Sequence, residues 1–401
     1  MLTIKVYFYR DMIMNKSEYA AEGREHVWCF DYLRSIALFF VIFMHVAAGP
    51  LRTGMSTGWY VLDLCVSIAF TAVPLFFMMS GYLLMTDERT SDVSFLIKYR
   101  LPKLIITLAA WSVIAAAWSS WINEYDMSLF AGNILDALHK PAWVHLWYMY
   151  TLIGLYIISP MLYAAIHGMN ASGRKYLLAL VIIVCLQGFI YAAVPGSARP
   201  DAQLEFVSDL RFFGGHITSF ILGYCLGTMK KRINNALLVI IALLDTAFIT
   251  LGTWRDTVSV NEYSGVFQSQ SSGPEILLAA CIFIFFKQNL NRDSRVRRAV
   301  SPLVSLSLGI YLIHNFLLSY MHVYIWRGET ARHVLPVTAA ILVISYIIVK
   351  TLATIPVISY ALAGLPFRSA CSSCNWVFTL KKVYSIFRHR SRSQIKHQTH
   401  I

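Results

Sequence analysis

Arg34 and His45 stand eleven residues apart in one apolar run, residues 32–50. Eleven helical steps of about 100° return to within about 20° of the starting direction. Both side chains therefore leave one face, roughly 16 Å apart along the axis. A cation and an imidazole inside so apolar a segment are costly, and such groups mark function in membrane helices. A guanidinium grips anions, and an imidazole titrates near neutrality, so it can take a proton from a hydroxyl and hand it on. The pair predicts an anionic ligand held at Arg34 and chemistry at His45. Each residue also has a plainer use. Arg34 can extend its head group to the membrane interface, and a buried neutral ring can simply be satisfied by a neighbour.

Other polar residues share these apolar surroundings. His314, counted from the start of its own segment, reaches nearly the depth of His45, so the two rings are expected to meet in a central cavity. His145 and His216 fall near the opposite ends of their helices. Lys98, Arg100 and Lys103 crowd the entry of the third segment, where three cations either clamp phosphates or only orient the chain. Asp31 lies one turn before Arg34 and is placed to pair with it. Pro74 and Pro160 interrupt segments two and four. Ser80-Gly81 offers small side chains for close helix approach or for ligand access.

Ten segments are apolar and long enough to carry these groups: 32–51, 60–84, 104–122, 145–165, 177–195, 212–229, 235–253, 274–290, 302–321 and 334–362. The expected fold is an all-α polytopic membrane protein, its helices around a central cavity. A cytoplasmic segment 1–31 precedes the membrane domain 32–362, and a basic cytoplasmic tail 363–401 follows it. Composition agrees: of 401 residues, 57% are hydrophobic and 14% charged, with mean hydropathy +0.57, against about 25% charged in soluble domains. The net charge of +13 does not point to nucleic acid, because the cations lie between apolar runs and in the tail. With both ends inside, 26 of the 34 Lys and Arg fall on the cytoplasmic side and 7 outside, as the positive-inside rule requires. The outer segments 123–144, 196–211 and 254–274 are rich in acidic, Trp and Tyr residues, which suit a sugar surface and equally a membrane interface.

Several motifs carry little. There is no cleavable leader pattern, so the first apolar run is expected to remain as a helix, with Met12 or Met14 as alternative starts. The seven cysteines do not suggest a disulfide framework. Cys371-x-x-Cys374, with His389, His397 and His400 downstream, lacks zinc-finger spacing, and no metal site is assigned. His26-x-x-x-x-Asp31 matches a soluble acyltransferase motif but sits at a membrane entry without the surrounding domain. No nucleotide-binding glycine loop, H-E-x-x-H or G-x-S-x-G is present.

Asp31-Tyr-Leu-Arg34-Ser-Ile-Ala, followed by His45, resembles the first helix of the acyltransferase-3 family of membrane O-acyltransferases, where an Arg, ten residues and a His recur. Val73-Pro-Leu-Phe-Phe-Met-Met-Ser-Gly-Tyr-Leu83 is similar to its second helix, and Lys98-Tyr-Arg100-Leu-Pro-Lys103 to its basic third entry. His145-Leu-Trp147-Tyr148 resembles the fourth-helix signature, and Ser307-Leu-Gly-Ile-Tyr-Leu-Ile-His314 a late helix. The five pieces occur in order over about 31–362, and the nearest branch resembles the acetyltransferases of enterobacterial common antigen and similar surface polysaccharides. Ser35 replaces the Gly usual after the Arg. The acidic pair of the branch with an added esterase-like domain is missing after Tyr148, so the short stand-alone form is expected.

The resemblance implies an acyl-CoA donor, usually acetyl-CoA, bound from the cytoplasm as co-substrate, with no resident cofactor. Arg34, Lys98, Arg100, Lys103 and Ser80 would form its site. His45 would act as general base on a sugar hydroxyl or carry the acyl group transiently. Trp147, Tyr148, His145 and His314 would line the cavity towards a glycan acceptor, often lipid-linked, at a bacterial inner membrane whose lipids surround the chain. The rival class is a transporter of polysaccharide or small solutes, with the same helices and histidines. A third class, membrane acyltransferases with a paired Asn pattern beside their His, lacks that pattern here.

Overall fold

A computed structural model describes residues 27–123, 127–194, 205–325 and 330–365, with the side chains of 205–214 and 356 outside the description. Most of the proposed N-terminal segment and tail, including Cys371 and Cys374, lie outside the described residues. The elements are α1 (Cys29–Arg52), α2 (Thr57–Ala69), α3 (Ala72–Met85), α4 (Leu101–Ile122), α5 (Met127–Asp136), α6 (Trp147–Gly168) and α7 (Ala171–Ala193). They continue with α8 (Glu205–Thr228), α9 (Asn235–Val260), α10 (Gly273–Asn289), α11 (Arg295–Ser305), α12 (Ser307–Tyr324), α13 (Val334–Leu352) and α14 (Pro356–Leu362). Among the described residues there is no strand. The chain is all-α and carries several membrane-spanning helices.

Seven spans are long and apolar enough to cross a bilayer: α1, α2 with α3, Val93–Ile122, Val144–Gly168, α7, α9 and Ala331–Leu352. The bent pair α11–α12, with 63° between its halves, makes an eighth if taken as one span. Helices also occupy the sixth and eighth of the ten expected segments. Of these, α10 has 17 residues, which is short for a span. Segment boundaries shift where proline intervenes. Pro74 cannot bond the carbonyl one turn back, and the second span breaks at Phe70–Thr71. The last expected segment stops at Leu352, and Pro356 opens α14. The ninth is mostly α12, because α11 is a basic helix with no buried residue.

Burial orders the spans. In the best window of α2–α3, 67% of residues are buried, against 11% for α7, so α7 presents its aliphatic side chains outwards to lipid. The central helix is α1, which touches α2, α3, α10, α11, α12 and α13. The closest pairing is α3 against α8. A Cβ on Gly81 would lie 1.8 Å from the carbonyl oxygen of Phe220, and one on Gly223 would lie 2.0 Å from that of Met78. Small residues thus let two backbones touch where apolar burial gives no advantage over lipid.

At the end where α1 begins, called here the basic end, the connection after α10 clamps it. Asp31 pairs with Arg297 at 3.0 Å, Arg297 lies 4.5 Å from the Trp28 ring centre, Tyr32 bonds Ser294, and Asn291 accepts from the Cys29 amide at 3.2 Å. The expected Asp31–Arg34 pair is thereby corrected: Asp31 bonds Arg297 and acts on Arg34 through its field. Arg297 also donates to Asp293 at 2.8 Å, which holds that carboxyl below the usual carboxylate range. This stabilisation is present at neutral pH and is lost as pH falls through the lowered value. At the opposite end α9 runs on to Val260, past its expected limit, and the loop behind it folds inwards. Gln268 there donates to Asp63 Oδ1 at 2.7 Å and to Ser67 Oγ at 2.9 Å, and accepts from Tyr263 at 2.6 Å. Part of the polar surface expected over 254–274 is therefore spent inside the bundle.

Two stability tests follow from this packing. Gly223→Leu should lower stability in detergent by about 1–3 kcal/mol or prevent assembly. Gly154→Ala, with open space around it, should melt like the parent by tryptophan fluorescence. For the clamp, Asp31→Asn and Arg297→Gln should each lower the melting temperature, and the double variant should lose less than their sum.

Candidate active site

Three histidines from distant parts of the chain converge. The rings of His45 on α1 and His314 on α12 stack in parallel, with centroids 5.2 Å apart and 6° between planes. His145, in the turn Val144–Leu146 that leads into α6, lies edge-on to His314 at 5.4 Å. His314 and His145 are buried, whereas His45 keeps partial access although its neighbours Met44 and Val46 are buried.

Backbone carbonyls set the tautomers. His145 Nε2 lies 2.9 Å from the carbonyl oxygen of Leu312, and His314 Nδ1 bonds that of Tyr311. A carbonyl only accepts, so both ring nitrogens donate. In the neutral rings this leaves His145 Nδ1 and His314 Nε2 as lone pairs, and both are buried with no hydrogen-bond partner among the described residues. The Tyr311 hydroxyl donates back to the His145 carbonyl, tying the approach to α6 onto α12. Two bases are thereby oriented before any ligand arrives. Among the described residues no three His, Cys, Asp or Glu side chains are placed to share a metal ion.

Arg34 lies on the same helix towards the basic end, partly accessible. Among the described residues it forms no hydrogen bond and no ion pair. Its electrostatic neighbours are Asp31, Tyr156 and Tyr148. The Tyr148 side chain lies beside Ser80 of α3, and its ring lies 5.3 Å from Tyr311. Tyr148 therefore joins the guanidinium to the histidine cluster. Trp147 stacks on His216 at 5.2 Å, and Phe77 lies between His216 and Tyr148.

The three expected cations of the third entry separate. Arg100 turns inwards, pairs with Asp87, donates to Thr90 Oγ1 at 2.8 Å, and is within electrostatic reach of Tyr156. Lys103 is half-buried, with no hydrogen bond or ion pair among the described residues. Lys98 is exposed and is not brought to the others. On the opposite side of the histidines, Phe316 contacts His145 at 5.5 Å and stacks between Trp111 at 5.5 Å and Trp143 at 5.6 Å. Aromatic side chains thus pack against one another from the histidines away from the basic end.

Sequence reasoning did not single out Tyr311, Tyr156 or Asp87. Tyr311 sits one turn before His314, which was a usable signal. Asp87 follows α3 directly and faces a known basic cluster, which was another. Tyr156 gave none, being one Tyr among 22.

No curated protein and no solved structure matches the chain. A family of the acyltransferase-3 type, described as an acyltransferase domain, matches residues 27–350. That stretch includes α1 through most of α13 and every residue placed around Arg34 and the three histidines. A match over so much of the chain makes this protein a member of the acyltransferase-3 family, and by class a multi-pass membrane acyltransferase.

Proposed function

We propose that the protein transfers a short acyl group, acetyl before others, from coenzyme A to a sugar hydroxyl of a surface polysaccharide, free or lipid-linked. The setting is a bacterial inner membrane with both termini cytoplasmic, and the branch that the sequence resembles is that of the enterobacterial common antigen and related O-acetyltransferases. The observation that carries the reading is Arg34: an accessible guanidinium inside an apolar bundle, without a hydrogen-bonding partner among the described residues. Such a cation is stabilised by an arriving anion, and the donor's phosphates supply one. Lys103 adds charge at the mouth, and Lys98 lies exposed apart from it. Arg100 acts through Asp87 and Thr90 to hold that mouth in shape. The pantetheine arm of coenzyme A is of the same order of length as the rise from Arg34 to His45.

At the far end of that arm the sugar oxygen attacks the thioester carbonyl while the His45 imidazole takes the hydroxyl proton. The C–S bond then breaks, and the thiolate leaves with the proton returned from the imidazolium. The products are an ester and a thiol, with no net proton change. The same ring can instead carry the acyl group between two such steps. His314, stacked against His45, and His145 offer fixed lone pairs to the acceptor hydroxyl. Trp147 and Tyr148 form the walls between donor and acceptor.

Membranes containing the protein should move labelled acetyl from acetyl-CoA to glycan, adding one acetyl to its mass. His45→Ala should lower transfer by roughly 10²–10⁴-fold while the protein keeps its melting behaviour. Arg34→Gln should raise the KM for acetyl-CoA by roughly 10–100-fold with a smaller change in kcat. Transfer undiminished in His45→Ala would sink the catalytic assignment. Movement of a solute without consumption of acetyl-CoA would make the protein a transporter.

A further inference from the structure

A second polar site lies at the basic end, in the turn 229–234 between α8 and α9. A cavity of about 180 Å³ is lined by Met229, Lys230, Lys231, Arg232, Lys287 and Gln288, with Ile284 as floor. Four cations and no carboxylate surround it. Among the described residues none of the four forms an ion pair. Two of the four cations, Lys287 and Arg232, are held in place by hydrogen bonds. Lys287 donates to the carbonyls of Leu226 at 2.8 Å and Met229 at 2.7 Å, so its ammonium neutralises the negative end of α8 and keeps one N–H unused. Gln288 bonds both the amide and the carbonyl of Ile233, pinning the turn. Arg232 is steadied by Asn289 at 3.3 Å.

We infer that this cavity binds the phosphate headgroup of an anionic phospholipid from the surrounding leaflet. Cations that only orient the chain need no cavity; here they ring one, and their mutual repulsion is relieved by an anion. The apolar floor and the adjacent wall point to a lipid. Leu237, Ile240 and Leu244 on α9 are 50%, 53% and 67% exposed. Their spacing makes one stripe running from the turn along the helix, a surface for acyl chains beneath a bound headgroup. The phosphates of a coenzyme A nucleotide share the headgroup chemistry, and the test separates the two.

The protein should be placed in phosphatidylcholine nanodiscs with increasing phosphatidylglycerol, and retained lipid read by native mass spectrometry. The parent should retain phosphatidylglycerol in preference to phosphatidylcholine. The combined variant Lys230→Gln, Lys231→Gln, Arg232→Gln should weaken that retention by roughly a hundredfold, about fivefold per cation. Lys287 is left intact because it caps α8, and an unchanged melting temperature in pure phosphatidylcholine confirms the variant's fold. Equal phosphatidylglycerol retention by parent and variant, or no preference in the parent, overturns the inference. Weaker coenzyme A binding with unchanged lipid retention also overturns it and gives the cavity to the nucleotide.

Discussion

A guanidinium enclosed by apolar helices is the constraint from which the rest of this architecture follows. Its charge is expensive there, and no carboxylate bonds it among the described residues. What surrounds it is a set of dipoles and one charge: the hydroxyls of Tyr148 and Tyr156, and the field of Asp31, which pairs with Arg297. This arrangement keeps the cation tolerable while leaving its donors uncommitted. A direct carboxylate partner would have cancelled its capacity to hold an external anion.

The histidine cluster solves a different problem, that of keeping a base aimed. Free rotation and tautomer exchange would blur the position of a lone pair in an otherwise greasy pocket. Two peptide carbonyls of α12 prevent this by taking the N–H of His145 and of His314. Those carbonyls already serve the helix, and they use their second lone pair for the rings. The same segment of α12 that supplies His314 therefore also orients His145. The surroundings of Arg34 and the histidine cluster are linked through Tyr148 and Tyr311, whose ring centres lie 5.3 Å apart.

Much of this was legible in the amino-acid sequence, for physical reasons. Apolar runs of span length force helices, because unpaired backbone groups are not tolerated in hydrocarbon. An eleven-residue interval puts Arg34 and His45 on one stripe, and equal depth brings His314 to His45. What stayed hidden depended on partners far along the chain. Asp31 was read with its helical neighbour Arg34, but Arg297 reaches it from another helix. Arg100 was read as free to clamp a phosphate, but Asp87 and Thr90 occupy it. The break at Phe70–Thr71 and the early stop of α13 had a local signal in Pro74 and Pro356. Which neighbouring turn gives way depends on packing that no local window contains.

The glycine contacts between α3 and α8 also constrain motion. Two helices that meet backbone to backbone have no side-chain layer to slide or repack, so they shift together or not at all. Phe77 rides on that fused pair, with its ring 5.0 Å from that of Tyr148. The opposite wall, between α4 and α12, is built instead from ring contacts: Trp111 stacks on Phe316 at 5.5 Å, and Trp118 lies edge-on to Phe316 at 5.9 Å. A backbone-to-backbone seam on one side thus faces a wall of side chains on the other, and only the second has a layer that can repack.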